Sequence, residues 1–194
     1  MIETLQTQLK SASKSERASL LVDYLKAHGN EHYEEDVTQY QHAVQAAYLG
    51  VEADAGDELI VAALLHDIGH ILADDPLEAN NPTVKNDFHE VLAANYLKDF
   101  FPAAVLEPIR LHVPAKRYIC TVDSLYYDKL SLASQKSFHL QGGKMESTEQ
   151  ADFESNPHYT NAVQLRKWDD LAKDVTKEVP DIAYYQARIE KVLL

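Results

Sequence analysis

Residues 62–70 read Ala62-Ala63-Leu64-Leu65-His66-Asp67-Ile68-Gly69-His70. Asp57, an N-cap type residue, precedes them, and Leu59, Ile60, Ala63 and Leu64 recur at helical spacing. The stretch is therefore an apolar helix delivering a His-Asp pair at its end. Neighbouring side chains on a regular helix diverge by about 100°, so His66 and Asp67 meet at one point most easily where the helix end is distorted.

Working outward, the same periodicity continues in both directions. Leu5, Leu9, Leu20, Leu21, Tyr24 and Leu25 mark an N-terminal helical region that stops at Gly29-Asn30. A helix is expected from Val37 to Leu49, with Gly50 as its stop. After a polar loop over 74–85, one helix runs from Phe88 to Phe100, and another from Pro102 to about His112. Beyond Pro114 the pattern predicts helices over Asp123–Leu140, Glu146–Glu154 and Thr160–Lys173, with a break at Gly142-Gly143. Pro180 opens a last helix to Leu194. With only six glycines and no strict strand alternation, the expectation is all-α: a helical bundle forming one domain over 1–194. Within it, 1–29 is the N-terminal helical region, 33–173 the core and 180–194 the C-terminal helix.

The bulk composition narrows the function. The 194 residues are 45% hydrophobic and 25% charged, which is globular, and the formal net charge is -13. Such a surface repels phosphate backbones and anionic lipid, so neither nucleic acid nor membrane is an expected partner. The single cysteine excludes an internal disulfide framework or thiolate cluster. Met1 to Lys10 lacks the apolar region of a secretory signal, and no apolar run reaches membrane-spanning length, so a cytoplasmic location is expected.

Chemistry-bearing residues recur on the successive helices. His42 precedes the His66-Asp67 pair, His89 and His112 follow it, and Asp169 comes after the sole tryptophan, Trp168. A single helical histidine is more often a surface or hydrogen-bonded core residue, and His28, His139 and His158 stay in that class. The order His, His-Asp, His, His, Asp on successive helices is different, because bundles build dinuclear sites by contributing one ligand per helix. Asp67 can bridge two ions, one through each oxygen. Imidazole and carboxylate without thiolate suit iron, manganese or zinc.

That order resembles the HD-domain superfamily, mostly metal-dependent phosphohydrolases, with His89 and His112 marking its dinuclear branch. Residues 62–70, His112-Val113-Pro114-Ala115-Lys116-Arg117-Tyr118, Leu140-Gln141-Gly142-Gly143 and Leu165-Arg166-Lys167-Trp168-Asp169 look like the hydroxyphosphonate-cleaving HD oxygenases, the family of 2-amino-1-hydroxyethylphosphonate dioxygenase. The resemblance implies a mixed-valent iron(II)/iron(III) pair, with molecular oxygen as co-substrate. One iron would be held by His42, His66, Asp67 and Asp169, and the second by Asp67, His89 and His112. The reaction would cleave the carbon–phosphorus bond of 2-amino-1-hydroxyethylphosphonate or its trimethylammonio analogue. Its products would be phosphate and glycine or glycine betaine; hydroxymethylphosphonate stays open as a substrate. An upstream phosphonate hydroxylase would supply the hydroxyl.

By the same resemblance, Lys116, Ser134 and Gln141 would bind phosphonate oxygens, and His70 would act beside Asp67 and Lys116 in catalysis. Glu35 takes the place of a glutamate that binds the substrate amine, which favours an ammonium-bearing substrate. The tyrosine place before it falls on His32, with Tyr33 next, so either serves as the displaceable iron ligand. Two rivals stand beside this reading: an HD phosphohydrolase acting on a phosphoester or nucleotide through metal-bound hydroxide, and a non-catalytic metal-stabilised module. Inositol oxidation fits less well, because a neutral polyol needs no lysine such as Lys116.

Overall fold

The computed structural model describes residues 4–32, 36–78 and 88–194. Its helices are α1 (Leu5–Ser11), α2 (Lys14–His28), α3 (Gln39–Glu52), α4 (Asp57–Leu65), α5 (Ile68–Asp74) and α6 (His89–Leu97). They continue with α7 (Ala103–Val122), α8 (Leu132–Leu140), α9 (Ser147–Ser155), α10 (Tyr159–Leu171) and α11 (Gln186–Val192). Among the described residues there is no strand, so the all-α expectation holds.

Local chemistry explains the boundaries. Ser13 and Glu16 form a capping box that splits the N-terminal region into α1 and α2, and Thr38 and Gln41 form another that starts α3. Gly50 does not stop α3, contrary to the sequence reading. It lies inside the helix, where a Cβ would sit 3.1 Å from Ile60 and 3.2 Å from Trp168, so it permits α3, α4 and α10 to approach closely. The expected break at Pro114 is also absent, because α7 runs through both Pro108 and Pro114. An interior proline costs about 3 kcal/mol. Packing of α7 against α10, α6 and α4 offsets this by burying Val105, Leu106, Ile109, Val113 and Ile119, each worth about 1.5–3 kcal/mol. The single helix expected over Asp123–Leu140 is instead a 3-10 turn, Tyr127–Lys129, followed by α8, which Ser131 caps. Pro180 likewise precedes a 3-10 turn, Ile182–Tyr185, before α11 begins. The expected break at Gly142-Gly143 is present, with φ of 104° and 68°.

Leu59 to Leu65 of α4 are all buried at the centre of the main core, which takes residues from α1 to α7, α10 and α11. Two smaller clusters stand apart: Ala115, Met145, Phe153 and Ala162, and Cys120, Leu130 and Phe138. Glu78, fully buried, accepts hydrogen bonds from the Leu5 amide at 2.9 Å and the Tyr96 hydroxyl at 2.6 Å, tying the segment after α5 to α1 and α6. No described helix is long and apolar enough to cross a membrane.

Candidate metal centre

The helix that carries the His-Asp pair ends where the pair needs it to. Asp67 sits between α4 and α5 at φ -100° and ψ 7°, outside both helices, so its carboxylate turns toward the side on which His66 already points. Gly69 then permits the next donor, His89, to approach. A Cβ there would lie 2.0 Å from the His89 carbonyl oxygen, so only glycine lets the start of α6 cross α5 this closely.

Four histidines converge through Nε2. His42 Nδ1 lies 3.0 Å from the Ala172 carbonyl, His66 Nδ1 2.8 Å from Ala63 and His112 Nδ1 2.7 Å from Ile109. A carbonyl can only accept, so each Nδ1 carries the hydrogen and each Nε2 presents a lone pair. Yet the Nε2 atoms of His42 and His66 are 3.2 Å apart, and those of His89 and His112 are 3.1 Å apart. Facing lone pairs repel unless a cation stands between them. Two nitrogens bound side by side to one ion at about 2.1 Å would sit roughly 3 Å apart.

Asp67 divides its oxygens between these pairs. Oδ2 is 3.5 Å from His42 and 3.4 Å from His66, while Oδ1 is 3.4 Å from His89 and 3.6 Å from His112. Asp169, on α10, adds an oxygen 3.3 Å from His42 and another 3.8 Å from His66. The six residues singled out from sequence thus come together as two donor sets sharing Asp67. His70 is beside them, its ring stacked on His89 at 3.9 Å, and it joins Asp67 and His89 in one of three convergent donor trios.

Protonation follows the arrangement. Burial drives His89 well below its ordinary value, and burial with the neighbouring His66 takes His112 down to about 3, so both are neutral. Burial alone would raise Asp67 and Asp169. His66 and His42 beside Asp67, and Arg166 beside Asp169, outweigh it, holding both carboxyls well below the usual range. Neutral imidazoles and ionised carboxylates are the states that bind metal. At His42, burial is outweighed by Asp169 and Asp67, which raise it to about 10. The carboxylates therefore draw positive charge, a proton or a metal, to that nitrogen.

A cavity of about 390 Å³ opens onto this cluster. The rest of its lining includes cations and hydroxyls. Lys116, only 2% exposed, donates to Ser137 Oγ at 2.6 Å. Lys173 reaches Ser131 Oγ at 3.2 Å and Ser134 Oγ at 3.0 Å. Arg166 pairs with Asp169 at 2.7 Å and with Asp170. Ser134 and Gln141, singled out from sequence as phosphonate-binding residues, both line the cavity. His32 is exposed and not among the described lining residues, and Tyr33 and Glu35 lie outside the described residues.

An HD-domain family model matches residues 39–136. The chain is 48% identical to hydroxymethylphosphonate dioxygenase of Gimesia maris, over 94% of this chain and 91% of that one. It is 36% identical to [1-hydroxy-2-(trimethylamino)ethyl]phosphonate dioxygenase (glycine-betaine-forming) of Leisingera caerulea, over 85% and 84%. The chain belongs to the HD-domain hydroxyphosphonate dioxygenases. It is an enzyme of that oxygenase class, and a bound metal belongs to its chemistry.

Several cavity residues of this dioxygenase escaped the sequence reading. Arg166 had a signal, since its spacing to Asp169 and Asp170 is i,i+3 and i,i+4 on one helix. Ser137 follows Ser134 at a spacing of three and so shares the α8 face that meets the two lysines. Gln39 lies one turn before His42 and lines the same cavity.

Proposed function

We propose that this dioxygenase cleaves the carbon–phosphorus bond of a small 1-hydroxyphosphonate with molecular oxygen, hydroxymethylphosphonate being the best single candidate. The observation that carries the reading is Asp67, with one oxygen toward His42 and His66 and the other toward His89 and His112, beside a wall bearing Lys116. His42, His66, Asp67 and Asp169 would hold one iron, and Asp67, His89 and His112 the second. When bound, a mixed-valent iron(II)/iron(III) pair supplies the electron-transfer chemistry with oxygen that a spin-paired organic substrate lacks. For hydroxymethylphosphonate the atoms balance with one oxygen molecule: carbon leaves as formate and phosphorus as phosphate, each gaining one oxygen atom, with no external reductant.

The chain's own groups bind and orient the substrate. Lys116, buried and charged, faces the phosphonate dianion, with Ser134 and Gln141 donating to its oxygens. Arg166 fixes Asp169 through their 2.7 Å pair and adds positive charge to the same wall. In a chain of net charge -13, these cations provide the local attraction that the surface denies. His70, stacked on His89, lines the cavity beside the donor sets, where it would contact the substrate. A trimethylammonium group prefers the faces of Trp, Tyr or Phe, and none of these appears in the described lining, which favours a small substituent on C1. The 1-hydroxyl would be installed by a preceding hydroxylation of the parent phosphonate.

The test is turnover: ferrous-loaded protein, oxygen and hydroxymethylphosphonate, with phosphate and formate measured together. Equal amounts of both, requiring iron and oxygen, support the reading. Phosphate released from a phosphoester without oxygen, and none from the phosphonate, would make the protein a phosphohydrolase instead.

A further inference from the structure

Two carboxamide oxygens, Gln39 Oε1 and Gln141 Oε1, are buried without a hydrogen-bond partner among the described residues, and both residues line the cavity. Leaving a buried polar atom unpaired costs about 1–3 kcal/mol, which turning the carboxamide toward a donor in the cavity would relieve. Their surroundings differ. Gln141 follows Ser134 and Ser137 along α8, the helix whose hydroxyls hold Lys116 and Lys173, and its amide can turn an N–H toward an anion. Gln39, 8% exposed, opens α3, which packs on α4 and α10, and Val37 is its nearest cavity-lining neighbour in sequence. The lysines and serines of the cavity lie on α7, α8 and the segment after α10.

We infer that Gln39 is a specificity-determining residue that accepts a hydrogen bond from the C1 hydroxyl of the substrate. The inference rests on the proposed reaction and goes beyond it. A phosphonate dianion offers only acceptors, so an unpaired acceptor at the α3 end of the cavity complements the carbon end of the ligand, where the hydroxyl is the donor. The consequence is selection between two compounds that the cationic wall alone binds alike: a 1-hydroxyphosphonate and the same phosphonate without its hydroxyl. A buried group built to meet a hydroxyl rejects the analogue lacking it, because that analogue leaves the group unpaired. The enzyme would thereby stay clear of the unhydroxylated parent compound.

Anaerobic calorimetry on the iron-loaded protein tests this without turnover, with hydroxymethylphosphonate and methylphosphonate as probes. Gln39→Leu removes the acceptor but not the start of α3, whose capping box is Thr38 and Gln41. The expected result is a loss of about tenfold or more in hydroxymethylphosphonate affinity, with methylphosphonate affinity equal or tighter and iron content unchanged. Gln39→Glu keeps an acceptor, so both anions weaken from the added charge while their affinity ratio stays near that of the wild type. An unchanged ratio in Gln39→Leu overturns the assignment, whether both affinities fall together or neither moves. Failure of the proposed reaction would look different, because the wild-type protein would then release no phosphate from hydroxymethylphosphonate in oxygen.

Discussion

The histidine wall of the cavity stands on α3, α4, α6 and α7 inside the main core, with three of its rings pinned through Nδ1 to backbone carbonyls. The hydroxyl wall stands on α8, which buries only Ser134 and Phe138 and rests on the small cluster of Cys120, Leu130 and Phe138. One wall cannot shift without disturbing the centre of the protein. The other is fastened by the two lysines, Phe138 and hydrogen bonds that join His139 and Gln135 to the preceding turn. Redox chemistry needs fixed donor positions, whereas an anion site has to admit and release its ligand, and local stability varies with packing in this way. Substitutions in the two walls should therefore separate metal loading from substrate binding.

The largest effect is expected at Asp67, the residue on which the donor sets overlap. Asp67→Ala should abolish the dinuclear centre and reduce turnover by more than the roughly 10–100-fold typical of losing an outer partner of a metal ligand. Metal analysis after anaerobic ferrous reconstitution is the check, and two coupled irons per chain in the variant would refute the shared role. Lys116→Ala comes next. It should lower kcat/KM by about 10²-fold through KM, the scale for removing one partner of a buried charged contact, and leave iron content intact. Equal losses of both would place Lys116 in the metal wall instead. Phe138→Ala, beneath α8, should raise KM by roughly tenfold through slight misplacement of the anion wall. Hydrogen exchange would then speed up in α8 and stay slow in α4; acceleration in both would erase the distinction between the walls.

The same division explains what was legible in the sequence. The convergent donors could be read because each sits on or beside a helix with buried apolar residues, and because the His66-Asp67 pair has a geometric need that the α4–α5 junction meets. Gly69 was part of the quoted motif, but its reason, a backbone crossing with His89, is a tertiary contact that no local pattern encodes. The boundaries of α7 were misread because a proline rule is local, while the burial that carries α7 through Pro114 comes from three other helices. Gly50 misled for the same reason. The anion wall was only half visible: Ser134 and Gln141 came from resemblance, whereas the Ser134-Ser137 spacing gains meaning only once Lys116 and Lys173 are seen to reach it from elsewhere in the chain.

The smallest effect expected is a pH dependence that belongs to the anion wall alone. Burial, with Arg166 adding like charge, lowers Lys116 to about 8 from an ordinary 10.5. An amine is charged below its pKa, so Lys116 attracts the phosphonate fully at neutral pH and loses that attraction as pH rises through about 8. Because kcat/KM reports the free enzyme, it should fall by about fivefold over the first pH unit above that point, while anaerobic iron content holds steady. Lys116→Arg stays charged throughout this range, so its profile should lack the alkaline limb even if its absolute activity is lower. A limb that persists unchanged in the arginine variant would assign the titration to another group and remove Lys116 from the phosphonate's side of the cavity.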